Sequence, residues 1–116
     1  MKINEKFWNH LQILVDESKI IIDRPKGSLH PKFTEVVYEV DYGYLKNTTS
    51  MDGQGIDVFV GTDNNQKVNG IAVTVDLFKR DSEIKILIGC TEDEKFKIQN
   101  HITKHDSLQG IIIGRE

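Results

Sequence analysis

The spacing of apolar side chains divides the chain into two helical stretches separated by extended ones. Over residues 4–17, NEKFWNHLQILVDE, Phe7, Leu11 and Leu14 recur with Trp8 and Val15 on one side, the spacing of an amphipathic helix. Asn4 is placed to cap that helix, and Ile3 with Trp8 to staple its start. Lys19 to Ile22 reads as a strand. Residues 38–45 then alternate, with Tyr38, Val40, Tyr42 and Tyr44 on one side and Glu39, Asp41 and Gly43 on the other. Ile56 to Val60 reads as a further strand, and Gly70 to Phe78 with Glu83 to Ile88 as a hairpin, its Val73, Val75 and Leu77 on one face and Ile84, Ile86 and Ile88 inward. Thr91-Glu92-Asp93-Glu94 is a capping box that starts a helix running to about His105. Its apolar stripe of Phe96, Ile98 and Ile102 is thin, which predicts a surface helix. Ile111 to Ile113 closes the chain as a strand. The order helix, strand, two motif strands, hairpin, helix, strand predicts a small α+β domain, mainly β, around a closed or highly curved antiparallel sheet.

Within this pattern one position is out of place. Asp57 interrupts the apolar run IDVFV, and its neighbours Ile56 and Val58 point to the opposite face, so its carboxylate has to look into a polar site. Before it lies KNTTSMDGQG, a run of turn formers in which Gly53 and Gly55 let the backbone fold tightly. Asp52 and Asp57, with Gly-Gln-Gly-Ile between them, suit a hard divalent cation such as Mg²⁺, for which Mn²⁺ can substitute. The same residues also describe an Asp-Gly turn followed by a buried, hydrogen-bonded aspartate. Arg24 and Lys26 in DRPKGS can hold phosphate oxygens or form an ordinary solvated turn. His10 reads as inert. His101 and His105 have a zinc-compatible spacing but lack a third ligand.

Composition narrows the function classes. The chain has 116 residues, 38% hydrophobic and 28% charged, enough for one globular domain over 1–116. Its 15 Lys and Arg nearly balance 18 Asp and Glu, and a net charge of −3 gives no broad cationic field, so no nucleic-acid partner is expected. The single Cys90 makes no internal disulfide. With neither a leader nor an apolar run of membrane length in the sequence, a cytoplasmic protein without a membrane partner is expected. Trp8 and Phe7 carry enough apolar surface for the first helix to pack on a second subunit, so a homo-oligomer stays open.

The motif YEVDYGYL followed by SMDGQGIDVFV resembles the signature of the soluble inorganic pyrophosphatases, YPxxYGY and then DGDPxDVLV. IDRPKGS is similar to the family segment IEIPKGS, and Glu83-Ile84-Lys85 to its DxK triplet. The likeness covers residues 20–61 and, more loosely, 71–88; the helix over 4–17 lies outside it. It implies an OB-like five-stranded antiparallel barrel with an N-terminal and a C-terminal helix. It implies Asp52, Asp57 and Glu83 as metal ligands, and Lys26, Lys32, Tyr42 and Lys85 as phosphate contacts, with Tyr38 orienting an acid. Tyr42, Asp57 and the residue at Gln54 would form the catalytic set, acting on a small phosphate substrate. Asp23 falls on the position of a family acid. Phe78 stands where the family has an acid pair, for which Asp76 and Asp81 are the nearest candidates. The family's middle acid is Gln54 here and its proline Gly55, and the stretch from Ser28 to Tyr38 is too short for the family's arginine-bearing hairpin. That hairpin is read as deleted, with Arg24 as the alternative stand-in. The implied activity is Mg²⁺-dependent hydrolysis of inorganic diphosphate. The alternatives are a degenerate module binding a phosphate-bearing or nucleotide ligand without turnover, and an OB-like interaction domain without metal.

Overall fold

The computed structural model describes residues 5–115. The elements are α1 (Glu5–Asp16), β1 (Ile20–Arg24), β2 (Asp41–Leu45), β3 (Ile56–Val60), β4 (Val68–Asp76), β5 (Asp81–Ile88), α2 (Glu92–Ile102) and β6 (Leu108–Gly114). This is the expected order of an α+β, mainly β domain. Asn4 and Ile3, the expected cap and staple, lie outside the described residues.

The strands form one sheet in the order β1-β2-β3-β5-β4-β6. Neighbours are antiparallel except β3 and β5, which run parallel with Val58 opposite Ile86 and Val60 opposite Ile88. The implied five-stranded antiparallel barrel is therefore corrected to a six-stranded, mixed, open sheet. The chain skips one place after β3 and fills it with β5 on the way back, which forces the parallel pair. The far side of β4 is then taken by β6, so β1 and β6 are left as edges.

Period-2 alternation sorts side chains onto two faces. Trp8 and Val15 of α1 pack on Leu45, Val58, Val68, Ile71, Ile86 and Ile88. The opposite face carries Tyr42, Phe59, Ala72 and Leu87 under Ile98 and Ile102 of α2. The second helix thus covers half the core rather than lying on the surface: Glu94, Ile98 and Ile102, four apart, are buried, while Phe96 points outward at 66% exposure. Each such buried isoleucine contributes about 1.5–3 kcal/mol. The capping box is present, with Thr91 Oγ1 accepting from the Glu94 amide at 3.1 Å and Glu94 Oε1 from the Thr91 amide at 2.8 Å. Glu94 also accepts from the amide and hydroxyl of Thr62, which fastens the β3–β4 loop to the helix start. At the other side, Arg115 donates to Val68 O, Glu5 and Asn9 and so ties α1 to the end of β6. Among the described residues no helix is long and apolar enough to cross a membrane.

Candidate functional site

The site grows out of the α2 face where the helix stops covering it. In the β2–β3 register Tyr42 stands opposite Phe59 and Tyr44 opposite Asp57. On β5, Glu83 and Lys85 alternate with Ile84 and Ile86, which places both on the face of Asp57. The expected inversion of Asp57 is real: Val58 is fully buried on the α1 face, while the Asp57 side chain is 29% exposed on the other.

Lys85 is the hub. Its ammonium donates to Tyr42 Oη at 3.0 Å, Asp57 Oδ2 at 2.9 Å and Glu83 Oε2 at 3.0 Å, spending all three of its N–H groups. Tyr42 in turn donates to Asp57 Oδ2 at 2.5 Å. Burial works against the Lys85 charge, but Tyr42, Asp57 and Glu83 outweigh it and hold the ammonium above its ordinary pKa. Burial raises the Tyr42 phenol, and the Asp57 carboxylate adds to the rise against Lys85. Burial also raises the Glu83 carboxyl; Lys85 opposes this, and the Asp57 and Asp52 carboxylates reinforce it. Asp52 lies in the β2–β3 loop, near enough to Glu83 for each carboxyl to influence the other's pKa.

That loop is built by its own polar residues. Thr48 Oγ1 donates to Leu45 O and accepts from the Ile56 amide, closing its neck. Asp52 Oδ1 accepts from Ser50 Oγ at 2.7 Å and the Gln54 amide at 2.9 Å, bonds that lower its pKa. Asp52 therefore serves as a turn former as well as a site acid. Gly53 has φ of +81°, which a residue with Cβ adopts only under strain. Gly55 does not need positive φ; a Cβ there would lie 2.8 Å from the Tyr44 ring, so close packing accounts for the glycine. Gln54 is exposed, and the contact it makes to the site is through its backbone.

On the other side of Tyr42 lies Arg24. A bulge between Ile22 and Arg24 turns it over the rings of Tyr38 and Tyr42, 5.6 and 5.8 Å from their centroids, and it donates to Tyr38 Oη at 2.6 Å. Tyr38 therefore holds a cation, where the resemblance implied an acid. No carboxylate pairs with Arg24 among the described residues. Residues 27–38 form a short hairpin arm, bridged at Leu29 and Val37, which carries no arginine. In the arm, His30 Nδ1 accepts from the amides of Lys32 and Phe33, and burial with nearby Arg24 and Lys79 lowers its pKa. The ring thus stays neutral with its proton on Nε2. Lys79, exposed in the β4–β5 turn, is near enough to His30 and Asp52 to influence both electrostatically. Asp76 Oδ1 shapes its turn by accepting from the amides of Phe78 and Lys79.

Tyr42, Asp57, Glu83 and Lys85 are joined by hydrogen bonds with Asp52 in the adjoining loop, whereas Lys26 and Lys32 are exposed on the arm and its base. Lys26 offers its amide to Asp41 Oδ1 at 2.8 Å, and Asp23 is exposed beside Arg24. Asp76 and Asp81 face each other in the β4–β5 register, on the face of Glu83 and one step nearer the turn. His101 packs its ring on Tyr38 at 4.8 Å; burial, with Lys85 nearby, lowers its pKa to about 4. His105 lies against Phe33. Sequence reasoning missed Lys79 altogether and gave Arg24 second place. A cation in a tight turn and one on a bulge have no periodicity to mark where they point.

Asp57 and Glu83 on one ammonium, with Asp52 in the adjoining loop, leave a formal charge of about −2, and their oxygens are hard donors of the kind Mg²⁺ takes. Among the described residues no three His, Cys, Asp or Glu side chains stand arranged to hold an ion, and the Lys85 ammonium sits between Asp57 and Glu83. Compared with known proteins, the chain matches no family model and no curated protein sequence.

Proposed function

We propose that the cleft hydrolyses inorganic diphosphate with the help of Mg²⁺. One observation carries this reading: a carboxylate group with excess negative charge abuts cations that have no acid of their own. Arg24 over the tyrosines and Lys79 in the β4–β5 turn are free of ion pairs among the described residues, while Asp57 and Glu83 share a single lysine and Asp52 beside them has none. A ligand that brings both a divalent cation and phosphate oxygens satisfies both halves.

Asp52, Asp57 and Glu83 are the residues to hold the cation, which when bound neutralises diphosphate charge and acidifies water. Arg24 offers a planar fork to phosphate oxygens, Lys79 and Lys32 point charges, and neutral His30 an N–H. Tyr42 and Lys85 fix the Asp57 carboxylate through Oδ2. Its Oδ1 has no partner among the described residues, which leaves it to take a proton from water. Lys85, raised in pKa, keeps its charge throughout the working pH range and screens the carboxylates from one another.

Binding without turnover is a second reading, favoured by Gln54. An amide accepts no proton at neutral pH, and this one lies exposed at the loop tip. Phosphate release from inorganic diphosphate, with and without Mg²⁺, decides between them. Release that needs Mg²⁺ and falls in Arg24→Ala supports hydrolysis. Diphosphate binding without release supports the second reading, and neither binding nor release leaves an interaction domain.

A further inference from the structure

The two edges of the sheet differ in how they are protected. β1 is five residues long, is broken by the bulge at Ile22/Arg24 and carries Asp23 and Arg24. A short, bulged, charged edge resists pairing with another chain. β6, LQGIIIG, has seven residues, no charge and no proline. The bonds flanking its ladder, Ser107 O to the Leu77 amide and the Arg115 amide to Asn69 O, show that odd-numbered residues face β4. Leu108, Gly110, Ile112 and Gly114 therefore turn their N–H and C=O groups outward. The Leu108 amide is taken by His105 O and Gly110 O by the Gln99 side chain. The remaining outward groups have no partner among the described residues.

The surroundings of this edge are apolar on the α1 face and mixed on the α2 face. On the α1 face Ile111, Val73 and Ile84 stand side by side in register, and Ile111 is 59% and Ile84 46% exposed, with Val75 beyond them. On the α2 face a groove of about 560 Å³ runs between α2 and β6, where Phe96 and Ile112 lie among the polar and charged Glu92, Lys95, Gln99 and Arg115.

We propose that the chain dimerises by antiparallel pairing of β6 with β6 of a second copy, about a two-fold axis at Ile111. The register supports this occupant. An axis at the central residue of β6 sets Gly110 opposite Ile112 and Leu108 opposite Gly114, so outward-facing groups meet outward-facing groups. Ile111 meets its own copy in the closer, non-hydrogen-bonded kind of pair and joins the two Val73–Ile84 strips into one surface. β6 itself is uncharged, and Glu92, Lys95 and Arg115 beside it carry both signs, so no single-sign field opposes the approach of a second copy. Gln99 gives up or shares Gly110 O on pairing. The two clefts lie toward the opposite edge of the sheet and stay open.

Sedimentation over micromolar to submillimolar concentrations tests the pairing. The parent is expected to sediment as a dimer, Ile111→Lys as a monomer with an unchanged circular dichroism spectrum, and the control Ile22→Lys on the other edge as a dimer. A parent that stays monomeric throughout, or a dimer indifferent to Ile111→Lys, overturns the proposal. Hydrogen exchange on the parent tests it without a variant: the Gly110 and Ile112 amides gain protection as concentration rises. Rapid exchange at every concentration overturns it as well.

Discussion

The two faces of the sheet are made by the same strands and put to different ends. On the α1 face, Leu45, Val58, Ile71 and Ile86 are sealed by Trp8 and Val15. On the α2 face the alternate residues of β2, β3 and β5 begin apolar, with Phe59 and Leu87 under the helix, and end as Asp57, Lys85 and Glu83. One face is all packing and the other is packing that gives way to charge at the end of the helix. A residue's surroundings therefore depend on its parity in the strand: Val58 is sealed in the α1-side packing and its neighbour Asp57 sits in the charged group.

The largest effects separate the faces cleanly. Asp57→Asn removes a carboxylate from the site, and a loss of about 10³ in phosphate release, roughly 4 kcal/mol of barrier, is expected with the fold intact. Trp8→Ala empties the α1 face and costs about 3–5 kcal/mol of stability by denaturant unfolding, while the folded fraction keeps its activity. A Trp8→Ala protein that unfolds normally yet loses turnover breaks the comparison. Next in size is Gln54→Asp, which restores an acid at the loop tip. At least a tenfold gain in release is expected, about 1.4 kcal/mol, and unchanged turnover in a variant that still binds Mg²⁺ favours binding without catalysis.

A separate effect concerns pH, at the place where the faces' logics meet. His101 packs on Tyr38 and Phe59, and its pKa falls from the ordinary 6.5 to about 4 through burial and then the nearby Lys85 charge. The unfolded chain takes up this proton first as pH falls, so the stability that depends on neutral His101 is present above pH 6.5 and lost down to about pH 4. Thermal melts of His101→Phe are expected to lose less stability than the parent across that window. Identical pH profiles contradict the assignment.

Much of this division is legible in the sequence. Alternation in IDVFV and EIKILI places Asp57, Glu83 and Lys85 against the apolar set, and the structure keeps that parity. The neighbours of each strand are not legible, because alternation says which way a side chain points and nothing about which strand lies beside it. That is why a closed or highly curved antiparallel sheet is expected from the sequence and an open one with a parallel β3–β5 pair is found. The burial of α2 rests on Glu94, Ile98 and Ile102, a stripe whose first member is an acid that accepts bonds from Thr62, a contact 32 residues away in the chain. Tyr38 and Val40 are buried although they precede β2, since the arm folds back over the sheet.

The central claim is that the charged end of the α2 face, and not the acidic turn of α2 or any other surface, is where a divalent cation binds. Titrating the ¹⁵N-labelled protein with Mn²⁺ in place of Mg²⁺, and following paramagnetic broadening of its amide signals, tests this directly. The amides of Asp52, Gln54, Asp57 and Lys85 are predicted to broaden first, with Leu11, Ile71 and other α1-face amides retained, and Asp57→Asn to abolish the effect. Broadening centred on Glu92 and Asp93, or none at millimolar Mn²⁺, would contradict the account.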